Sequence, residues 1–136
     1  MFGSLDISTS GLVAQRTRLD TIAGNIANAQ ATARADGQPG PYRRRFTVFE
    51  AGDGKGGHGV HVGEVMEDEA PGRLVYDPTH PHAIRSGPNA GCVEYPNVDA
   101  STEMVDAMLA ARAYEANVAA IDVTKSMISS TMRILV

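Results

Sequence analysis

Between Asp99 and Val136 the chain contains no glycine and no proline, and its apolar positions recur in alternating steps of three and four. From Met104 those steps land on Ala107, Ala111, Tyr114, Val118, Ile121, Lys125, Ile128, Met132 and Leu135, so nine of the ten positions are apolar. The spacing predicts one uninterrupted helix carrying a coiled-coil seam. At a rise of about 1.5 Å per residue it would be roughly 50 Å long, far beyond an average globular helix. A helix of that length cannot bury its own seam, so its apolar face needs a cover.

A second, weaker seam opens the chain. Steps of three and four from Leu5 give Ser8, Leu12, Gln15, Leu19, Ile22, Ile26 and Ala29, which makes six apolar positions in eight. The pattern predicts a helix that starts near Ser4 or Asp6, either of which can cap the first turn, and that runs to about Ala33. Gly11 and Gly24 each cost about 1 kcal/mol relative to alanine inside a helix. Each marks a bend, a close approach of another backbone, or a tolerated exposed position.

Between the two helical stretches the punctuation changes. All seven prolines and eleven of the fourteen glycines lie between Gly37 and Pro96. Ala31 to Pro41 reads as a loop, and Arg45–Phe49, Val60–Val65, Arg73–Tyr76 and Cys92–Tyr95 read as four short strands closed by turn residues. The glycine-rich run from Gly52 to Gly59 reads as a hairpin connection. Asn97, Asp99 and Ser101 are successive caps for the last helix, and Asp99 is favoured. The expected fold is mainly α with a small β insertion. Residues 1–35 and 97–136 form one helical core, paired as an antiparallel coiled-coil hairpin, and residues 36–96 form a small short-stranded β-unit with flexible loops between its arms.

Composition narrows the partners. A chain of 136 residues with 43% hydrophobic content can build a core, and a net charge of −4 offers no general basic field for nucleic acid or an anionic membrane. No apolar run approaches the roughly 20 residues needed to cross a bilayer. The start, Met1 to Asp6, lacks a basic segment followed by an apolar one, so no cleaved secretory signal is expected and export would need another route. Cys92 is the single cysteine, which rules out an intramolecular disulfide and fits a small packing residue better than a reactive thiol.

Candidate chemistry is sparse. The Gly52 to Gly59 loop lacks the Gly-Lys-Ser/Thr spacing of a phosphate loop and leads into a strand instead of a helix. His58, His61, His80 and His82 have neither the helical spacing nor the cysteine pairs of a metal site and read as solvated loop histidines. The Arg43-Arg44-Arg45 run reads as a solvated face, or as a rim that meets acidic side chains such as Glu67-Asp68-Glu69, within the chain or across a subunit boundary. Glu103, Asp106, Glu115 and Asp122 fall off the apolar seam and read as solvent or interface groups. Arg112 to Glu115 and Asp122 to Lys125 are helix-supporting pairs three apart. Lys125 interrupts the seam, where it would fix register or extend its ammonium to a carboxylate. No catalytic, cofactor or metal residue is assigned.

Two motifs carry a resemblance. One is Ser10-Gly-Leu-Val-Ala-Gln-Arg-Thr-Arg-Leu-Asp-Thr-Ile-Ala-Gly-Asn-Ile-Ala-Asn28, which includes Asn25 and Asn28. The other is spread over Tyr95-Pro-Asn-Val-Asp99, Glu103-Met-Val-Asp106 and Arg112-Ala-Tyr-Glu-Ala-Asn-Val118, with Asn97, Glu115 and Asn117. With the segment Val75 to Ala83 between them, the chain resembles the bacterial flagellar axial proteins of the rod and hook. The resemblance implies a non-enzymatic subunit of the basal-body rod crossing the periplasm, exported by the flagellar type III apparatus. It also implies self-assembly through terminal helices into a tube that transmits torque and encloses the export channel. Its partners would be copies of itself and other rod and basal-body proteins, with no nucleic acid, no membrane insertion, no small-molecule substrate and no cofactor. Leu5, Leu12, Leu19, Ile22, Ile26, Met104, Tyr114, Val118, Ile121, Ile128, Met132 and Leu135 would pack the helices and the assembly. The competing readings are another axial subunit of the same family and, further off, a small metal- or anion-binding enzyme built on the histidine-bearing β-unit.

Overall fold

The computed structural model describes residues 2–37, 39–52 and 57–134. Six elements follow in order: α1 (Phe2–Ala27), β1 (Arg45–Ala51), β2 (Val60–Glu67), β3 (Arg73–Tyr76), β4 (Cys92–Tyr95) and α2 (Ala100–Ile134). Two long helices and a small β region are what the spacing of apolar residues, glycine and proline predicts.

Helix α2 begins where its cap lies. Asp99 Oδ1 accepts a hydrogen bond from the Ser101 amide at 2.8 Å, and the Asp99 carbonyl accepts the first helical bond from the Glu103 amide at 2.9 Å. With no breaker after it, the helix runs 35 residues.

Helix α1 departs from expectation at both ends, starting at Phe2 and stopping at Ala27 instead of near Ala33. The alanine-rich stretch after Ala27 could continue a helix by propensity, but the returning chain takes over its hydrogen bonds. The Ala31 amide donates to the Asn28 carbonyl at 3.0 Å, and the Ala31 carbonyl accepts from the Tyr42 amide at 3.0 Å. Tertiary structure overrides a weak local preference here.

The four strands form two separate antiparallel pairs, β1–β2 and β3–β4. Strands β1 and β2 pair from Arg45↔Glu67 to Ala51↔Val60, with a register shift between Val48 and Phe49. This hairpin leans on α1, where the Val60 amide donates to Ser10 Oγ at 3.1 Å. Gly59, at φ +125°, makes that approach possible, because a Cβ there would stand 2.5 Å from Ser10 Oγ.

Three contacts bring α1 against α2. Asn25 Nδ2 lies 3.0 Å from Glu103 Oε2, Arg18 pairs with Asp106 at 3.5 Å, and a Cβ built on Gly11 would meet the Asn117 side chain at 3.0 Å. Residue numbers fall along α1 as they rise along α2. Gly11 is therefore a close approach, whereas Gly24 has only Tyr42 Oη at 4.0 Å and is not.

The core is thin: Ala14, Ile22, Val93 and Ala110 are the buried hydrophobic residues among those described. On α2 the residues turned toward α1 are Glu103, Ala110 and Asn117, one heptad apart. That line runs one position before Met104, Ala111 and Val118. Glu103 is thus corrected from a solvent or interface group to a fully buried one. Small and polar residues let the helices close, and the larger apolar ones turn outward.

Candidate functional site

The side chains brought together by the fold form a polar node where α1, the entry to β1 and the first turn of α2 meet. Its centre is Asn25, fully buried, which uses its whole hydrogen-bonding capacity. Asn25 Nδ2 donates to the Arg45 carbonyl at 2.7 Å and to Glu103 Oε2 at 3.0 Å. Asn25 Oδ1 accepts from the Arg45 amide at 2.9 Å and from the Tyr42 hydroxyl at 3.0 Å. The amide therefore pairs with the backbone N–H and C=O of one residue, Arg45, as a neighbouring strand would, and holds α2 with the proton left over. Burial raises the Tyr42 hydroxyl above its ordinary 10.0, which keeps it a protonated donor at neutral pH.

Glu103, also 0% exposed, is the buried carboxylate of the node. A buried charge persists only when paired and hydrogen-bonded. Arg44 Nε supplies the counter-charge at 2.5 Å, and Arg44 reaches Asp106 at 3.4 Å, which in turn faces Arg18. The Arg44 amide donates to Asn97 Oδ1 at 3.0 Å, so the segment before α2 is tied to the same residue.

Arg44 was not distinguishable within the Arg43–Arg45 run by charge alone. Extended backbone sends successive side chains to opposite sides. That alternation was the available signal, because it sends Arg44 to Glu103 while Arg43 and Arg45 reach Glu94, at 3.7 Å, and Glu67, at 3.1 Å. Arg45 thus meets the Glu67-Asp68-Glu69 stretch within the chain. Arg34 joins it, donating to both Glu67 oxygens at 2.9 and 2.8 Å. Hydrogen bonds from Arg34 Nη2 first, and from Arg45 second, hold the Glu67 carboxyl below its ordinary 4.5.

The remaining motif residues are structural in different ways. Asn28 Nδ2 donates to the Gly24 carbonyl at 2.8 Å at the end of α1, and Asp99 caps α2. Asn117 packs on Gly11 and donates to the Ala113 carbonyl at 3.0 Å. Glu115 makes an exposed pair with Arg112 at 3.1 Å.

Of the predicted packing residues, Ile22 is buried, and Leu5, Leu12, Leu19, Ile121 and Ile128 are half-buried. Ile26, Tyr114 and Val118 are exposed, and Met104 and Met132 are strongly so, at 63% and 64%. Leu135 lies outside the described residues. Lys125 is exposed. Val105, Met108, Leu109, Val123 and Met127 are likewise exposed, leaving uncovered apolar side chains toward both ends of α2 with the exposed Arg112–Glu115 pair between them. Exposed apolar side chains grouped in this way mark interaction surfaces.

Among the described residues the charged side chains of the node are paired with one another. A notch of about 200 Å³ opens beside the node, lined by Arg18, Arg44, Phe46 and Asp106 among others. It is smaller than the roughly 300–1,000 Å³ of ligand pockets, and the charges lining it are engaged with one another. Two histidines meet and His61 stands apart: the His80 and His82 rings lie edge to face at 5.5 Å, His80 Nδ1 accepts from the His82 amide, His82 Nδ1 shares a hydrogen bond with Thr32, and His61 Nδ1 bonds the Gly52 carbonyl. Among the described residues no three His, Cys, Asp or Glu side chains gather as metal ligands. The glycine loop lies partly outside the described residues.

Comparison with known proteins matches both ends of the chain separately. Residues 5–35 match the family described as "Flagella basal body rod protein", and residues 89–134 match that described as "Flagellar basal body rod FlgEFG protein C-terminal". The flagellar basal-body rod protein FlgC of Borreliella burgdorferi is 41% identical over 99% of this chain and 97% of its own length. FlgC of Bacillus subtilis is 39% identical over 98% and 97%, and FlgC of Escherichia coli O157:H7 is 43% identical over 93% and 92%. With identity at that level across nearly the whole of both chains, and helical ends that each match a rod-protein family, this chain belongs to the flagellar basal-body rod protein FlgC family.

Proposed function

We propose that the chain is a structural, non-catalytic subunit of the flagellar basal-body rod. Residues 1–35 and 97–136 act as one core, an antiparallel coiled-coil hairpin, and residues 36–96 project as an insertion. The opposed order of the Asn25–Glu103 and Gly11–Asn117 contacts supports the hairpin. The single observation that carries the assembly reading is the set of uncovered apolar side chains on one side of α2, Met104, Val105, Met108 and Leu109 toward one end and Val123 and Met127 toward the other. Copies of the chain and other rod and basal-body proteins cover that face. Helices packed this way resist twisting, because close-packed side chains have few alternative arrangements, and torque passes along the rod. Export through the rod's own channel and a position across the periplasm belong to the same reading.

The test is to place charge on the uncovered face. Met108→Asp with Leu109→Asp leaves the monomer's circular dichroism and melting unchanged, since both positions are exposed in it. The same pair blocks incorporation into basal bodies and abolishes swimming, because an unpaired carboxylate in an apolar interface costs several kcal/mol, roughly 3 or more per site. Normal swimming by the double variant would remove this face from the assembly.

A further inference from the structure

Both strand pairs leave an edge open. Among the described residues β2 is paired only with β1 and β3 only with β4, so each keeps one row of backbone N–H and C=O groups outside a ladder. Residues 64–66 of β2 and all four residues of β3 are exposed, and Val65, Met66, Leu74, Val75 and Tyr76 among them are apolar. Natural edges of this kind are normally blunted by proline, a bulge or a covering element. A two-stranded pair is also marginal in water unless it packs on a helix or gains a third strand. The β1–β2 hairpin has α1 for that purpose, whereas in β3–β4 only Val93 is fully buried.

The two edges complement each other in length and charge. A groove of about 570 Å³ follows β2 and the turn after it, lined by residues 64–69 with Arg34 and Arg43. Arg34 is already held by Glu67 and Arg43 by Glu94, which leaves Glu64, Asp68 and Glu69 to set the charge of the groove. Strand β3 opens with Arg73, whose guanidinium lies over the Tyr95 ring at 5.6 Å. We infer that β3 of one copy adds antiparallel to the outer edge of β2 in a second copy, with Arg73 opposite Glu67, Leu74 opposite Met66, Val75 opposite Val65 and Tyr76 opposite Glu64. The regular run of β2 stops at Gly63, which has no partner in β1, so it offers the same short stretch that β3 fills. Strand addition draws affinity from main-chain hydrogen bonds and specificity from the side chains. Pairing β2 with β2 of another copy would set carboxylates against carboxylates, which is destabilising; β3 brings an arginine to the acidic end instead. Each copy uses two different edges, so the contact is heterologous and repeats along an open array instead of closing on a pair. Naming a second copy as the occupant rests on the rod-subunit reading; the open edges and their charges do not.

Disulfide trapping between full-length chains tests the register. Directly opposed Cα atoms in an antiparallel pair lie about 4.5–5.5 Å apart, within the span of a disulfide. Met66→Cys chains are mixed with Leu74→Cys chains, both positions being exposed in the monomer, and are oxidised over a concentration series up to the solubility limit. Peptide mass spectrometry then identifies which cysteines have joined, with native Cys92 left in place. The mixed 66–74 adduct is expected to dominate, and a chain carrying both substitutions is expected to give a ladder of multimers. Absence of the mixed adduct at every concentration, or 66–66 and 74–74 adducts in equal yield, overturns the contact, and so does a double variant that stops at a dimer. Adding Arg73→Glu to the Leu74→Cys chain should lower the mixed yield by up to about fivefold, the range of an exposed ion pair. Glu69→Lys in the Met66→Cys chain should restore it; an unchanged yield, or no restoration, refutes the charge match. Rods that assemble from the double variant and show no 66–74 adduct on oxidation defeat this contact and leave the rod reading standing. A chain that forms the ladder but never enters a rod does the reverse.

Discussion

Glu103→Gln isolates the electrostatic demand of the node with almost no change of shape. The carboxylate accepts from two donors, Arg44 Nε at one oxygen and Asn25 Nδ2 at the other. A glutamine offers one oxygen and one NH₂ group, so in either orientation an N–H faces an N–H. If the oxygen is kept for Arg44, Asn25 Nδ2 loses a partner in a fully buried place, at about 1–3 kcal/mol. If it is kept for Asn25, the charged bond to Arg44 goes, at about 1.5–3 kcal/mol. Breaking a fully buried ion pair costs about 3–5 kcal/mol, but Arg44 retains Asp106 at 3.4 Å, and its side chain is 23% exposed. The lower part of the range applies, about 2–3 kcal/mol. Against a total stability of roughly 5–15 kcal/mol, that lowers Tm by roughly 6–15 °C for a chain of this size. Thermal and urea unfolding of the monomer, followed by circular dichroism, read it directly. A variant within about 0.5 kcal/mol of the unmodified chain would mean that Glu103 is not an ionised acceptor of two donors. The double change Arg44→Met with Glu103→Leu should cost less than its two single changes together by about 1–3 kcal/mol, because no unpaired charge is left behind.

Two further predictions concern other parts of the fold. Glu67 is held below its ordinary 4.5 by Arg34 and Arg45, so its contribution is complete above that value and is lost as pH falls through the lower folded value. The urea midpoint should therefore fall in acid, and Glu67→Gln should flatten that dependence; an unaltered acid profile would remove the clamp from the account. The two helical glycines should answer oppositely to substitution. Gly24→Ala meets nothing closer than Tyr42 Oη at 4.0 Å and should gain up to about 1 kcal/mol of helix propensity, while Gly11→Val drives into Asn117, already 3.0 Å from a Cβ, and should lose about 1–3 kcal/mol. Equal effects in urea titrations would mean that the helices do not meet at Gly11.

Strands β3 and β4 were legible to the residue, because Asp77-Pro78 and Pro96 close them with side chains that cannot continue a ladder. The long helix and its Asp99 cap were legible for the same kind of reason: nothing after Asp99 competes with helix, and the cap chemistry is local. What periodicity could not reveal is which stripe of α2 meets α1. Counting apolar residues selects Met104 and Val118, whereas the inward line carries Glu103 and Asn117, and a buried carboxylate looks identical to a solvated one until its arginine arrives from 59 residues away in sequence. The end of α1 was hidden likewise, since the bond that replaces its next turn comes from Tyr42. Local features were readable, and the features set by distant partners were not. The node consists almost entirely of the second kind.

A single side chain, Asn25, closes four hydrogen bonds to the hairpin, Tyr42 and α2, and their concentration governs how the joint bears load. Bonds spread over several residues can yield in turn, each giving way while the rest hold. Bonds gathered on one planar amide share its position and tilt, so a swing of the hairpin against the helices strains all four together. The joint therefore works as a rivet instead of a hinge, stiff to small displacements and abrupt in failure. A load on β1–β2 reaches α2 through that one amide group and the Arg44–Glu103 pair beside it.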